Sequence, residues 1–528
     1  MIRKFINVLT KNDKDEDGRS FLIINSFIKS YSCHQIKIND KPETLNNSIF
    51  VIPEVSKKEF YLIFKNLINR EKNKIILFGD LNSEIKTLFD LKEINKLDFE
   101  IIEAANQKTF KESKERIYYN SEIPYLPKFI KEIEGRPISR FDFQREWNNH
   151  YYGHIDDLDS ERNLSIKGVI NDKNYVAYVK VNSHKIPLIS EFTINTNKII
   201  WVNRNIGLID LPEWKIIENF VSNFNDNELP CLPFITELKK SEKGLITMRL
   251  DCDENIDSAM NIFELYKSKN IPFSLALTTK LLENKTKIPI LPKLVLENNG
   301  NLLSHSHTHP KDWGESSKNI KKEITFSKAL IEKTYGTKVD LAVSPFHHLN
   351  KLTIKLLYEN NFKGIIAGIS SSHHKFLYMK GGQYSINNNL IIHSQQCMLH
   401  GDCINKNRSI KEYFKSIKLL SNLKYSFGYL DHPISERYDY GWGNKENQVS
   451  AHKQIINFCF KNSINIISQA ELFKRLKAKD DLKIFLVKKN GKEFISINNT
   501  SFEEISIMYK NNIYPCLSNK ISEIEVKN

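Results

Sequence analysis

The chain has 528 residues, 40% of them hydrophobic and 11% aromatic, and a formal net charge of +14 at pH 7. That length exceeds what one ordinary core organises, so two or three domains are expected, and the apolar content excludes global disorder. The positive excess comes from lysines scattered along the whole chain, with no Lys/Arg stripe interleaved with aromatics, which argues against a nucleic-acid module. It reads either as a solvated basic surface or as attraction for an anionic substrate or membrane face.

The seven cysteines (Cys33, Cys231, Cys252, Cys397, Cys403, Cys459, Cys516) include no C-x-x-C pair. An odd, dispersed set fits reduced thiols in a cytosol better than a disulfide framework. The apolar run at the amino terminus turns charged at Lys14-Asp-Glu-Asp, too early for a signal peptide, and no later run reaches membrane-spanning length. The expectation is a soluble cytoplasmic protein, with peripheral membrane contact left open.

Taken in order, residues 1–150 alternate strand-like and helix-like patches. Residues 48–53 read as a buried strand, 57–70 as a helix and 74–79 as a second strand ending in Gly79-Asp80. This predicts a Rossmann-like or amidotransferase-like α/β domain. No nucleophile and no G-x-G-x-x-G follows the strand, so the domain is read as non-catalytic. Residues 151–235 shift toward strands, at 175–181 and 198–202, then a helix ending near Phe224 and a linker at Pro230-Cys-Leu-Pro233. The acidic cluster Asp156, Asp157 and Asp159 reads as a solvated loop, since it spells out no octahedral site.

From Gly244 the strand–helix alternation becomes regular. Strands are expected at 245–250, 271–277, 340–343, 364–367, near 390 and 425, and at 464–467; helices are expected at about 257–268, 316–335 and 451–462. So many βα units within residues 240–475 predict a parallel barrel or a near-barrel. In the last segment, 480–528, two apolar runs flank Lys489-Asn-Gly-Lys492, a hairpin signal that predicts a small β appendage.

Three polar clusters fall at the carboxyl ends of strands in the 240–475 region. They are Asp251-Cys252-Asp253, the run Ser304-His305-Ser-His307-Thr-His309-Pro310, and Leu430-Asp431-His432-Pro433. Pro310 biases its predecessor away from helical backbone, so the histidines read as a strand end turning into a loop. Alone, the His305/His309 spacing fits a metal site and a solvated His-rich loop equally well. With a carboxylate, two imidazoles leave a cation with an open position for water, a second carboxylate can act as base, and a separate histidine can protonate a leaving group.

This order of motifs resembles the polysaccharide deacetylase family, also called carbohydrate esterase family 4 or the chitooligosaccharide deacetylase homology domain, over residues 240–475. The resemblance implies a distorted (β/α) barrel and a metal-dependent carbohydrate deacetylase, a hydrolase of the linear amide C–N bond, with one divalent metal, zinc first and cobalt, nickel or manganese as alternatives. It implies Asp253, His305 and His309 as metal ligands, Asp251 as base and His432 as acid, with Asp251 and Asp253 able to exchange roles. Ser344-Pro345-Phe346 falls at the third motif, where Ser344 replaces an arginine that pairs with the base; Arg249 is a candidate to supply that charge. No Asp-x-x-Trp fourth motif is present, and Asp402 is the nearest acidic residue. Arg249, Pro345, Phe346, Arg437, Tyr438 and Trp442 are candidate substrate-binding residues, the last three from the loop after His432. His307 reads as a bystander, while His347-His348 and His373-His374 line the pocket or sit on surface loops. The expected substrate is an acylated amino sugar, nucleotide- or lipid-linked, on the way to a surface polysaccharide or glycoconjugate. Two rival expectations are a decayed barrel serving as a glycan-binding or assembly module, and a metal-dependent esterase or phosphoesterase.

Overall fold

The computed structural model describes residues 4–10, 19–39, 41–42, 45–93, 116–135, 169–170, 173–181, 184–203, 211–224, 227–283, 288–311, 313, 316–347, 349–367, 383–385, 388–394, 397–405 and 409–526. The acidic cluster at 156–159, His348, and His373-His374 lie outside them. The described residues fall into two compact units. One contains the described residues up to 240 together with those from 478 onward, and the other contains 241–477.

The first unit is built on an eight-stranded sheet. Five parallel strands, Ile36–Asn39, Ile6–Leu9, Ile49–Ile52, Lys74–Phe78 and Asn197–Val202, stand in the order 2-1-3-4-5. That is a doubly wound order. Three antiparallel strands, His184–Ile194, Tyr175–Val181 and Ile117–Tyr119, extend its far edge. Residues 1–150 and 151–235, expected as separate regions, therefore share one sheet. The cause is the character of the strands: Ile49–Ile52 and Lys74–Phe78 are buried at every position. Such strands need neighbours on both edges and cover on both faces, and Asn197–Val202 supplies the missing edge.

The 480–528 segment departs from its expectation in a similar way. Lys483–Lys489 and Lys492–Asn499 do form the Asn-Gly hairpin, joined by Lys520–Glu525. A second small sheet, however, pairs Ile505–Tyr509 with Asn512–Cys516 and with Phe234–Ile235, immediately after the expected linker. Cys231 and Leu232 in that linker are buried. Ile505–Tyr509 and Asn512–Cys516 alone would be a two-stranded hairpin, marginal by itself, and the pairing with Phe234–Ile235 builds the segment into the first unit.

The second unit carries a ten-stranded sheet, parallel except for one edge hairpin. Its strands run Gln383–Ser385, Asn388–Ser394, Gly364–Ala367, Leu341–Val343, Asn301–Ser304, Ser274–Leu277, Gly244–Cys252, Ser426–Asp431 and Cys397–Met398, with Ile464–Ile467 also paired to Gly244–Cys252. Among the described residues the path ends on two different strands, so the sheet they form is a half-barrel and not a closed barrel. Gly244–Cys252 shows why: its first half pairs with Ile464–Ile467 and its last residues with Ser274–Leu277. The expected strand at 271–277 begins only at Ser274, after Pro272. Register then aligns the carboxyl ends, with Asp251 opposite Ala276, Leu277 opposite Ser304, and Leu250 opposite Asp431.

Candidate active site

The strand Gly244–Cys252 is buried along its whole length. Side chains two apart on a strand share a face, so the Cys252 insertion puts Arg249, Asp251 and Asp253 on one side. Arg249 donates from Nε to Asp251 Oδ1 at 2.8 Å and from Nη2 to Oδ2 at 3.1 Å, both side chains being buried. Burial pushes the Asp251 carboxyl up, but the Arg249 guanidinium, with His305 and His432, holds it below the ordinary carboxylate range. Arg249 thus meets Asp251 in the interior. Ser344, in the place of the third-motif arginine, is buried, and its hydroxyl has no hydrogen-bond partner among the described residues.

Next to this pair, Asp253 Oδ1 lies 3.3 Å from His305 Nε2 and 3.7 Å from His309 Nε2. The three ligand-capable atoms lie within 4.8 Å of one another. His305 leaves the strand Asn301–Ser304, and its Nδ1 faces the Val343 carbonyl at 3.1 Å. That carbonyl fixes the tautomer and turns the Nε2 lone pair toward Asp253. Ser306 and His309 adopt left-handed backbone (φ 64° and 54°), closing the loop so that the Ser306 hydroxyl accepts the His309 N–H at 2.9 Å. Glu323, from the helix Ser317–Tyr335, clamps the turn by accepting the N–H groups of His307 and Thr308, each at 2.7 Å. His307 faces elsewhere, with Nδ1 against the Thr279 hydroxyl and Nε2 3.3 Å from Glu283.

The fit of this trio to a cation rests on Asp253 Oδ1. It is buried and accepts no well-aligned hydrogen bond, although two imidazoles lie beside it; the 3.3 Å contact to His305 is an ion contact with poor hydrogen-bond geometry. Lone pairs converging on a buried carboxylate are satisfied by a proton or by a metal ion. Burial pushes His305 down, but Asp251 and Asp253 raise it above the ordinary imidazole value. His309 is pushed down to about 4 by burial and by His305 beside it.

His432 closes the site from the other side, its Nε2 3.6 Å from Asp253 Oδ2. Its Nδ1 meets His400 Nε2 at 2.8 Å, and the Tyr440 ring stacks on it with centroids 4.6 Å apart and planes 15° from parallel. His400 was not among the expected residues. It lies two residues past Met398 and His432 two past Leu430, and Met398 and Leu430 are register partners on parallel strands. Asp402, the nearest acidic candidate, is two residues further on; its N–H donates to the Tyr440 carbonyl at 3.3 Å.

Beneath His432, the fully buried Asp431 accepts from the His432 N–H, Trp442 Nε1 and Gln448 Nε2, and faces His452 Nε2 at 3.0 Å. Trp442 is therefore a buried support, only 4% exposed, and not a sugar platform. Its indole N–H needed a partner, and Asp431 is that partner. The other loop candidates stand at the surface. Tyr438 is exposed, and Arg437 lies 3.6 Å from Glu254 with its guanidinium over the Tyr438 ring. Phe346 is exposed on left-handed backbone (φ 50°) with its ring 4.6 Å from His309, while Pro345 is buried.

The carboxylate–imidazole trio thus stands at the carboxyl ends of parallel strands, the end at which barrel-like α/β folds place their sites. Residues 243–365 match the family model described as polysaccharide deacetylase, a partial coverage that fits a divergent member. Similar solved structures include the carbohydrate esterase family 4 domain of a multidomain xylanase from the hindgut metagenome of Trinervitermes trinervoides, at 15% identity and a TM-score of 0.31 over 44% of this chain and 90% of that one. A substituted peptidoglycan deacetylase from Bacillus subtilis gives 14% and 0.31 over 46% and 94%. A family 4 pseudoenzyme from Bacillus anthracis gives 13% and 0.31 over 44% and 66%. No curated protein matches the chain.

Proposed function

We propose that the second unit is a metal-dependent hydrolase that removes an acetyl or other acyl group from an amino sugar. The observation that carries this reading is the convergence of Asp253, His305 and His309 between the Arg249-held Asp251 and His432. A divalent ion, zinc first with cobalt, nickel and manganese as alternatives, would be held by the Asp253 carboxylate and the Nε2 atoms of His305 and His309, and would supply Lewis acidity toward the acyl carbonyl. Asp251 stays ionised at neutral pH and takes the proton of the attacking water. His432 donates from Nε2 to the departing amine. Tyr438, Arg437 and Phe346 border the opening and are the contacts offered to the sugar. The net charge of +14 supports a substrate carrying a diphosphate, and so a nucleotide- or lipid-linked precursor of a surface glycan. Among the described residues no helix is long and apolar enough to cross a membrane.

His400 acts in this scheme through His432. With the Nδ1 proton of His432 donated to His400, the Nε2 face is turned to the reacting atoms. Replacing His400 with alanine is expected to lower kcat by about 10²-fold, the lower end for an acid–base group, with KM and metal content unchanged. His400→Asp, which restores an acceptor, should recover part of the loss; equal losses in both variants would remove His400 from the scheme.

The reading is tested on zinc- or cobalt-loaded protein with matched N-acetyl, O-acetyl and phosphorylated sugars. Acetate release from the N-acetyl sugars, abolished by chelation, is the expected result. Release only from the ester or phosphate series would establish the rival hydrolase. No release from any would favour the glycan-binding module, a reading that Ser344 in the third motif supports.

A further inference from the structure

The first unit contains a cavity of about 490 Å³ at the amino-terminal edge of its parallel sheet, opposite the end where doubly wound folds hold their usual ligands. Lys4 enters it just before the strand Ile6–Leu9, and Lys72 just before Lys74–Phe78. Lys488, Lys492 and Lys510 enter from the carboxyl-terminal hairpins.

Five lysines thus face three glutamates, an excess of two positive charges. Lys510 pairs with Glu493 at 3.1 Å and Lys492 with Glu525 at 2.8 Å. Among the described residues no ion pair is formed by Lys4, Lys72 or Lys488. Burial pushes the Lys4 ammonium down and Glu493 only partly restores it, while Lys488 and Lys510 push the same way as burial. Like charges gathered in a partly enclosed space repel one another unless an anion enters between them. The lining also says what kind of anion fits. It offers the amides of Asn47 and Asn227 and no aromatic ring, with Leu229 and Val526 as the only large apolar contributions. A nucleobase or an acyl chain would find no partner there. The turn that closes one wall is the Asn490-Gly491 hairpin, where Gly491 (φ +76°) adds no side chain to narrow the opening.

We propose that this cavity is a binding site for a phosphate or diphosphate group, held by the ammonium groups of Lys4, Lys72 and Lys488. Lysine holds phosphate as a point charge, so the site reads charge and size and not the rest of the molecule. The inference is independent of the hydrolase reading, because it uses a different unit and different residues.

The test is calorimetric titration of the full chain with inorganic diphosphate at low salt. Saturable one-to-one binding is expected, weakened at least about tenfold in Lys4→Gln and in Lys488→Gln, as loss of a charge-assisted contact requires. His305→Ala is expected to bind as the wild type does, which separates this site from a metal-held diphosphate. Thermal melting reports whether the lysine variants fold, and the exposed-side Lys72→Gln gives a third measure where either does not. UDP is expected to bind within about threefold of diphosphate, since its base meets no ring. No saturation up to about 5 mM, affinity unchanged in all three lysine variants, or affinity dominated by the nucleoside would overturn the proposal.

Discussion

Replacing His305 with alanine is expected to take the purified protein from about one divalent ion per chain to almost none, and turnover with it. The same is expected of His309→Ala. Removing either leaves Asp253 and one imidazole, too few points to hold a catalytic ion against water. Elemental mass spectrometry on the wild type beside each variant reads the outcome, and a metal-free His305→Ala protein with full activity would refute the proposed chemistry. The pH dependence of loading adds a sign. Asp251 and Asp253 raise His305 above its ordinary value, so at any pH below that raised value the ion-free site carries a proton at Nε2 that must leave before a cation binds. Apparent affinity should therefore fall as pH drops through that raised value, by up to about tenfold per unit. His309, pushed down to about 4, is already neutral across that range and contributes no such competition. A flat loading profile between mildly acidic and neutral pH would show that His305 is not a ligand.

The parts of this site that are local in the chain were legible before any coordinates. His305 and His309 sit in one loop, and Pro310 marks the backbone before it as non-helical. Arg249 and Asp251 are two apart on a strand, which is enough to place guanidinium beside carboxylate. What escaped is what parallel pairing creates. His400 reaches His432 because Met398 and Leu430 are register partners across 32 residues, and no periodicity reports such a pairing. The first unit repeats the lesson. Residues 198–202 and 74–79 each read as strands, but only the pairing of Asn197–Val202 with Lys74–Phe78 shows that they share a sheet. Trp442 was misread for a different reason. In a loop with Arg437, Tyr438 and two glycines it looks like an exposed platform, whereas its N–H serves the buried Asp431.

Asp251→Asn should separate chemistry from binding: the metal content stays near that of the wild type while turnover falls by about 10³-fold or more, within the range for a lost general base. The physical basis is the division of labour along one strand face. Asp253 lies nearest the two imidazole Nε2 atoms, whereas Asp251 is engaged by Arg249 through both oxygens. An amide keeps one acceptor for the guanidinium but cannot take a proton from water. It also removes the Asp251 charge from beside the buried Arg249, and breaking a buried pair costs about 3–5 kcal/mol, so a lowered melting temperature is expected alongside the kinetic loss. Arg249→Met distinguishes the two effects. With the guanidinium gone, burial acts on Asp251 against His305 and His432 alone, its pKa rises, and a smaller fraction is ionised at any given pH. The acid limb of kcat/KM should move to higher pH in that variant, with activity recovered on the alkaline side. If Asp251→Asn instead loses the metal and Asp253→Asn keeps it, the two carboxylates have exchanged roles, and the base is the one nearer the histidines. An unmoved acid limb in Arg249→Met would mean that the guanidinium serves the fold and not the ionisation of the base.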